Sequence, residues 1–160
     1  MNDVKKTVSR VYLGLTLAYI ATMFVLCSYA NGKIADFAST LTDGTELQFS
    51  VLNSMQKPIA TANIIFYVIL FGIALWIYSK GGKKVLTYLP VLIFSVFTLF
   101  GYVTLSGSFF SIGGNNITHS GSYWLMFFIG LFFIAGAICI TVIGTIAVRN
   151  LLKRQNTVNK

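Results

Sequence analysis

Residues 59–105 decide the fold of this chain: IATANIIFYVILFGIALWIYS (59–79), KGGKK (80–84) and VLTYLPVLIFSVFTLFGYVTL (85–105). Each apolar run is about as long as the ~20 residues with which an α-helix crosses ~30 Å of hydrocarbon. The short segment between the two runs allows only a tight turn, so the two helices must be antiparallel neighbours. Its lysines place the turn on the cytoplasmic side, because positive charge near the ends of membrane helices is retained inside.

Two further apolar segments, residues 11–30 and 123–148, predict a membrane helix on each side of this hairpin. The composition agrees, because 10% of the residues are charged, whereas a soluble domain is roughly 25% charged. We therefore predict an all-α membrane protein, one domain over residues 1–160, with four transmembrane helices in an up-down bundle. Residues 31–58 and 106–122 form the outer loops, and residues 80–84 form the inner loop.

The distribution of charge predicts the same topology. Ten of the twelve Lys and Arg residues fall in three clusters, at the N-terminus, at the 80–84 turn and at the C-terminus. Four spans bring all three clusters to one side, which is the positive-inside pattern. Both termini are therefore predicted to be cytoplasmic, and nucleic acid is not expected as a partner despite the net charge of +8. Short loops and the absence of secretory disulfides favour a bacterial plasma membrane.

The first outer loop is not a plain polar linker. Apolar residues recur in it at helical spacing, in two sets separated by the turn signal Asp43-Gly44: Ile34, Phe37 and Leu41, then Leu47, Val51 and Met55. We expect two short amphipathic helices, or one broken helix, that rest on the outer membrane surface or cap the bundle. This segment either covers its own helices as a lid or offers a surface to a partner. Pro58 is expected in the first turn of the second membrane helix.

Small residues recur along the last span. Gly130, Ala137 and Gly144 follow one another every seven residues, and Thr141 lies on the neighbouring seam position. Such a seam lets another helix approach closely. The first span offers a matching face of small residues: Gly14, Ala18 and Ala21. We predict close packing of the first helix on the fourth, and the alternative use of the seam is homo-oligomerisation.

A few polar residues lie within the apolar spans. Asn63, the amide of the second span, is placed to hydrogen-bond across helices. A polar stripe on one face of the third span consists of Ser95, Thr98 and Tyr102. Hydrogen bonding between helices is the expected role of this stripe, and pore lining or ligand contact is the alternative. Pro90, early in the third span, predicts a kink there.

Asp, Glu, Lys, Arg and His are missing from the four predicted spans. Proton relays and ion-coupled transporters keep such groups inside the membrane in spite of their energetic cost. The sequence also lacks a Gly-x-Ser-x-Gly motif, a cluster with metal-ligand spacing and a phosphate-binding loop in its strand–loop–helix context. We therefore expect no catalytic activity, no cofactor and no metal site.

The leading hypothesis is a non-catalytic membrane protein that acts by helix association, as a small subunit, modulator or immunity-type binding protein of a larger membrane complex. Its expected partners are the lipid bilayer and either another membrane protein or a second copy of itself. One alternative is an oligomeric channel or passive carrier with a hydroxyl lining: Ser95, Thr98, Tyr102, Thr141 and Thr145. Another alternative is a lipid-binding protein in which residues 31–58 cover a groove in the outer leaflet.

Overall fold

Four long α-helices make up the described part of the chain. The computed structural model describes residues 2–40, 49–112 and 118–158, with side-chain detail for most of residues 4–33, 54–101 and 127–157. The helices are α1 (Asn2–Thr40), α2 (Phe49–Ser79), α3 (Leu89–Ile112) and α4 (Thr118–Val158). All four are long and apolar enough to cross a membrane, so the predicted all-helical architecture with four potential membrane spans is confirmed.

The helices are longer than the spans predicted from hydropathy. α1 and α4 contain 39 and 41 residues, about 60 Å each at 1.5 Å per residue, which is twice the ~30 Å of a hydrocarbon core. Parts of the first outer loop extend α1 and α2 instead of forming separate helices, because α1 continues to Thr40 and α2 begins at Phe49. The expected amphipathic face lies outside the described side chains: Ile34, Phe37, Leu41, Leu47, Val51 and Met55.

The two prolines of the chain occupy different positions in their helices. Pro58 lies inside α2 and not in its first turn, because the helix already begins at Phe49. Pro90 is the second residue of α3, where its missing N–H is tolerated, and the kink expected there stays a prediction. A short 3₁₀ helix, Lys84–Thr87, precedes α3, and the α-helical hydrogen bonding starts where the Leu92 N–H donates to Tyr88 O at 3.0 Å.

The turn between α2 and α3 depends on two glycines. Gly81 has a φ of +79°, in the region that glycine adopts without steric cost. The Gly82 N–H donates to Ile77 O at 2.9 Å, and the Gly81 N–H donates to Tyr78 O at 3.0 Å, which is the Schellman pattern of a helix C-terminus. A Cβ on Gly82 would lie 2.5 Å from Ile77 Cγ2. The predicted tight, antiparallel hairpin is confirmed, and its geometry has room only for glycine at this point.

The hairpin of α2 and α3 lies between α1 and α4. α1 contacts α2 and α3, and α4 contacts the same two helices, but α1 and α4 make no contact with each other in the residues that the structure describes. The predicted close packing of the first helix on the fourth is therefore wrong.

Two hydrophobic cores, one on each side of the hairpin, explain this arrangement. The core shared with α1 contains α2 residues Leu70, Ala74 and Ile77, together with α1 residues such as Tyr19 and Met23. The core shared with α4 contains a second set of α2 residues and the small residue of α4: Tyr67, Phe71 and Ala137. Because α2 carries large side chains on both faces, the hairpin holds α1 and α4 apart.

One end of the bundle gathers the α2–α3 turn, the N-terminal part of α1 and the C-terminal part of α4. Lys5 Nζ donates a hydrogen bond to Lys80 O at 2.8 Å, and Tyr12 Oη donates to Leu86 O at 2.9 Å. α4 contacts the 3₁₀ helix at the same end. We call this the turn end. The juxtaposition is that of an up-down bundle.

Candidate functional site

A buried polar network joins α1, α2 and α3. Tyr19 Oη donates to Asn63 Oδ1. Asn63 Nδ2 donates to Thr98 Oγ1 at 2.8 Å and lies at a longer 3.4 Å from Phe94 O. Tyr19, Asn63 and Thr98 are all buried. A single amide thus connects three helices, and the prediction that Asn63 hydrogen-bonds across helices is confirmed.

Aromatic rings enclose this network. The Tyr19 ring stacks on Phe66 with centroids 5.0 Å apart and packs at a tilt against Phe97 at 5.8 Å. Such pairs contribute about 0.5–1.5 kcal/mol beyond their buried area. The Tyr19 side chain is 0% exposed, so its hydroxyl has no access to water and must find its partner inside the protein.

The small-residue seam of α4 faces α2 and α3. Tyr67 Oη lies 2.8 Å from both Ala137 O and Thr141 Oγ1, and a Cβ on Gly144 would lie 2.9 Å from Phe71 Cζ. Gly130, Ala137 and Thr141 are buried. The close approach that the seam permits is therefore used within the chain, because aromatic side chains of α2 pack against the small residues of α4.

The small-residue face of α1 has a different position. Gly14, Ala18 and Ala21 are all exposed. A Cβ placed on Gly14 would meet no described atom within 4 Å. This face points away from the hairpin, because the buried side of α1 carries Tyr12, Tyr19 and other residues of the α1 core. The two small-residue surfaces that the sequence predicts as partners thus do not meet.

The predicted polar stripe of α3 does not form one surface. Thr98 belongs to the buried network, whereas Ser95 Oγ donates within its own helix to Val91 O at 2.8 Å. The side chain of Tyr102 lies outside the described residues. Thr145 of the suggested pore lining is buried and donates to Thr141 O at 2.7 Å. Each described hydroxyl of the suggested pore lining therefore has a hydrogen-bond partner within the bundle.

Two of the open spaces beside the cores have polar residues in their linings. A small cavity of about 40 Å³ lies against the buried network, with Asn63, Thr98 and Phe133 among its lining residues. That space suits one or a few water molecules. A larger cleft of about 250 Å³ lies at the turn end, between α4 and the segment that holds the 3₁₀ helix and Tyr88. Its lining residues are Lys84, Tyr88, Val142, Thr145, Ile146 and Arg149.

Sequence reasoning missed the tyrosines as polar members of the interior. Tyr12, Tyr19 and Tyr67 each give their hydroxyl to a partner on another element. For Tyr19 and Tyr67 the available signal was their position well inside apolar runs, away from the span ends where interfacial tyrosines concentrate; Tyr12 stands at the start of its span and gave no such signal. A buried Tyr hydroxyl usually has a hydrogen-bond partner, so such a position indicates a polar contact between helices.

Comparison with known proteins does not assign the chain to a family. No protein-family model, curated protein or solved structure matches it. Among the described residues, no group of three or more His, Cys, Asp or Glu side chains is placed to hold a metal ion.

Proposed function

We propose that this chain is a non-catalytic integral membrane protein that acts by helix association, as a small subunit, modulator or immunity-type protein of a larger membrane complex. The observation that carries the proposal is the uncovered small-residue face of α1, formed by Gly14, Ala18 and Ala21. The bundle builds its α1 core without this face, so the face is available to a helix of another protein or of a second copy.

The physics of the bilayer favours such a use. Lipid chains are as apolar as leucine, so helices associate in the membrane by close packing and hydrogen bonding, and small residues let two backbones approach. Large apolar side chains adjoin the face: Leu17 lies beside it at 60% exposed, and Val25 lies one turn beyond Ala21 at 64% exposed. A partner helix would therefore contact exposed apolar side chains as well as the small residues.

The hydrogen bonding of the buried polar side chains also supports a role in binding another helix. In the described part of the chain, every buried side-chain nitrogen or oxygen has a hydrogen-bond partner. Asn63, Thr98 and Thr141 thus hold helices together and leave little polar lining for a solute. The channel alternative therefore has less support. The lipid-groove alternative also has little support from the cavity beside Asn63, because about 40 Å³ holds only one or a few water molecules. Solute flux into liposomes by the purified protein alone would favour the channel and count against association.

The proposed location is the plasma membrane of a bacterial cell. In the proposed orientation, the turn end and both termini lie on the cytoplasmic side. Its support is the gathering of Lys5, Lys80 and Lys84 at that end, together with the basic residues late in α4. A cysteine introduced as Ser79→Cys, in a Cys27→Ala/Cys139→Ala background, should react with a membrane-impermeant maleimide only after cell lysis. Labelling of this cysteine in intact cells would contradict the proposed orientation and place the turn end outside.

The association proposal is tested on the α1 face itself. We expect Gly14→Leu/Ala18→Leu to weaken the complex extracted in mild detergent about tenfold, because overpacking costs ~1–3 kcal/mol and ~1.4 kcal/mol is a factor of ten. Gly136→Leu is the matched control, since a Cβ at Gly136 on α4 also meets no described atom within 4 Å. A complex of unchanged size and yield in the α1 variant would contradict the proposal.

A further inference from the structure

The cleft at the turn end has the chemistry of an anionic lipid site. It measures about 250 Å³, close to the lower end of the ~300–1,000 Å³ typical of small-molecule pockets. We propose that this cleft binds the phosphodiester head group of an anionic phospholipid, with Lys84 and Arg149 as its cationic ligands. The inference does not depend on the association partner of α1.

Two cations converge on the cleft from different elements. Lys84 comes from the 3₁₀ helix and Arg149 from α4, and none of the six described residues that line the cleft is acidic. The Arg149 guanidinium presents the planar fork of donors that matches two phosphate oxygens, and the Lys84 ammonium supplies a point charge. Lys84 Nζ lies 5.9 Å from the centroid of the Tyr88 ring, which keeps the ammonium at the wall of the cleft.

The remaining wall is apolar and explains why a lipid fits better than a free anion. Val142 and Ile146 line the cleft together with the cations and are 39% and 52% exposed. Both belong to the apolar span Phe127–Thr157 of α4, and they precede Arg149 along the helix. An acyl chain that follows α4 past these two residues would bring its phosphate to Arg149. Inorganic phosphate would use the two cations and gain nothing from the apolar wall.

The site lies where a head group is expected. Lys84 is the first residue of the candidate span Lys84–Gly101, and it precedes the apolar residues of α3 along the chain. Basic pockets between membrane helices on the cytoplasmic side are known to hold anionic head groups. In the proposed orientation, the cleft opens toward the cytoplasmic leaflet, which carries the anionic lipid.

The experiment counts bound lipid on the purified full-length protein. The protein in detergent is incubated with phosphatidylglycerol or with phosphatidylcholine, and the bound lipid is measured by native mass spectrometry. We expect phosphatidylglycerol to bind preferentially, and Lys84→Gln/Arg149→Gln to lower its binding about 25-fold, at about fivefold for each basic residue. The matched control is Lys83→Gln/Arg154→Gln, which removes the same charge at the turn end from residues that do not line the cleft.

Two results would overturn the inference. Equal loss of phosphatidylglycerol in the cleft variant and in the control variant would mean diffuse attraction to the basic end. The second concerns the apolar wall: Ile146→Ser should also weaken phosphatidylglycerol binding, although it changes no charge. If Ile146→Ser binds normally and excess inorganic phosphate displaces the lipid completely, the cleft is a phosphate site and not a lipid site. Circular dichroism of every variant shows whether the helical fold is retained.

Discussion

The Asn63 amide is the residue whose removal tests the bundle most directly. Asn63→Leu keeps the branched shape of the side chain and removes its hydrogen bonds to Tyr19 and Thr98. Hydrogen bonds between membrane helices average ~0.6 kcal/mol and reach ~1.7 kcal/mol, so the two bonds account for ~1–3 kcal/mol. The Tyr19 hydroxyl then loses its acceptor in a 0%-exposed position. We expect the free energy of unfolding to fall by about 2 kcal/mol.

The assay is reversible unfolding of the purified protein by sodium dodecyl sulfate in mixed micelles, read by circular dichroism. Tyr19→Phe alone should cost about 1 kcal/mol. The double variant Tyr19→Phe/Asn63→Leu should cost no more than Asn63→Leu, because the orphaned hydroxyl is gone, which corresponds to a coupling of about 1 kcal/mol. Ser95→Ala is the control: its hydroxyl bonds only to Val91 O in its own helix among the contacts described, so less than ~0.5 kcal/mol should be lost.

Additive costs would refute this reasoning. If the double variant loses the sum of the two single losses, Tyr19 and Asn63 do not act as a pair. A Ser95→Ala cost as large as that of Asn63→Leu would show that any hydroxyl or amide removed from the interior has the same effect, whichever helices it joins.

Two further predictions use the same unfolding assay. Gly82→Ala should lose ~1–3 kcal/mol, because its Cβ would lie 2.5 Å from Ile77 Cγ2 and 2.7 Å from Ile77 O; wild-type stability would mean that the turn accommodates a side chain. Gly144→Leu should lose about 3 kcal/mol, because its Cβ would begin 2.9 Å from Phe71 Cζ. Gly136→Leu, in open space among the described atoms, should lose less than ~0.5 kcal/mol, and equal losses at the two glycines would contradict the α2–α4 packing.

Hydropathy predicted the number of helices for a physical reason. A run of about 20 apolar residues in lipid must satisfy its backbone hydrogen bonds within itself, and only a helix does so outside a closed barrel. The turn was predictable for a similar reason, since Gly81 and Gly82 stand between two such runs and supply the backbone freedom of a helix C-terminus. The role of Asn63 followed from its polarity in an apolar run.

Helix ends were harder to predict, because hydropathy reports where the hydrocarbon stops and not where the helix does. α1 continues to Thr40, and α2 begins at Phe49, before Pro58. Outside the lipid, water can form hydrogen bonds with the backbone N–H and C=O groups as well as a helix does. The hydropathy of the residues there therefore does not show where the helix ends. The prediction that Pro58 lies in the first turn of α2 failed because it assumed that helix and span begin at the same residue.

The order of residues established that α1 and α4 each carry a face of small side chains, but it left open which surface each face meets. Only the folded bundle decided that Gly144 packs against Phe71, whereas a Cβ on Gly14 would have no described atom within 4 Å. A small residue permits close approach and does not choose the partner, because packing is a property of two surfaces. Here the choice was made by Tyr67 and Phe71, whose rings fill the space over α4 while the other face of α2 meets α1.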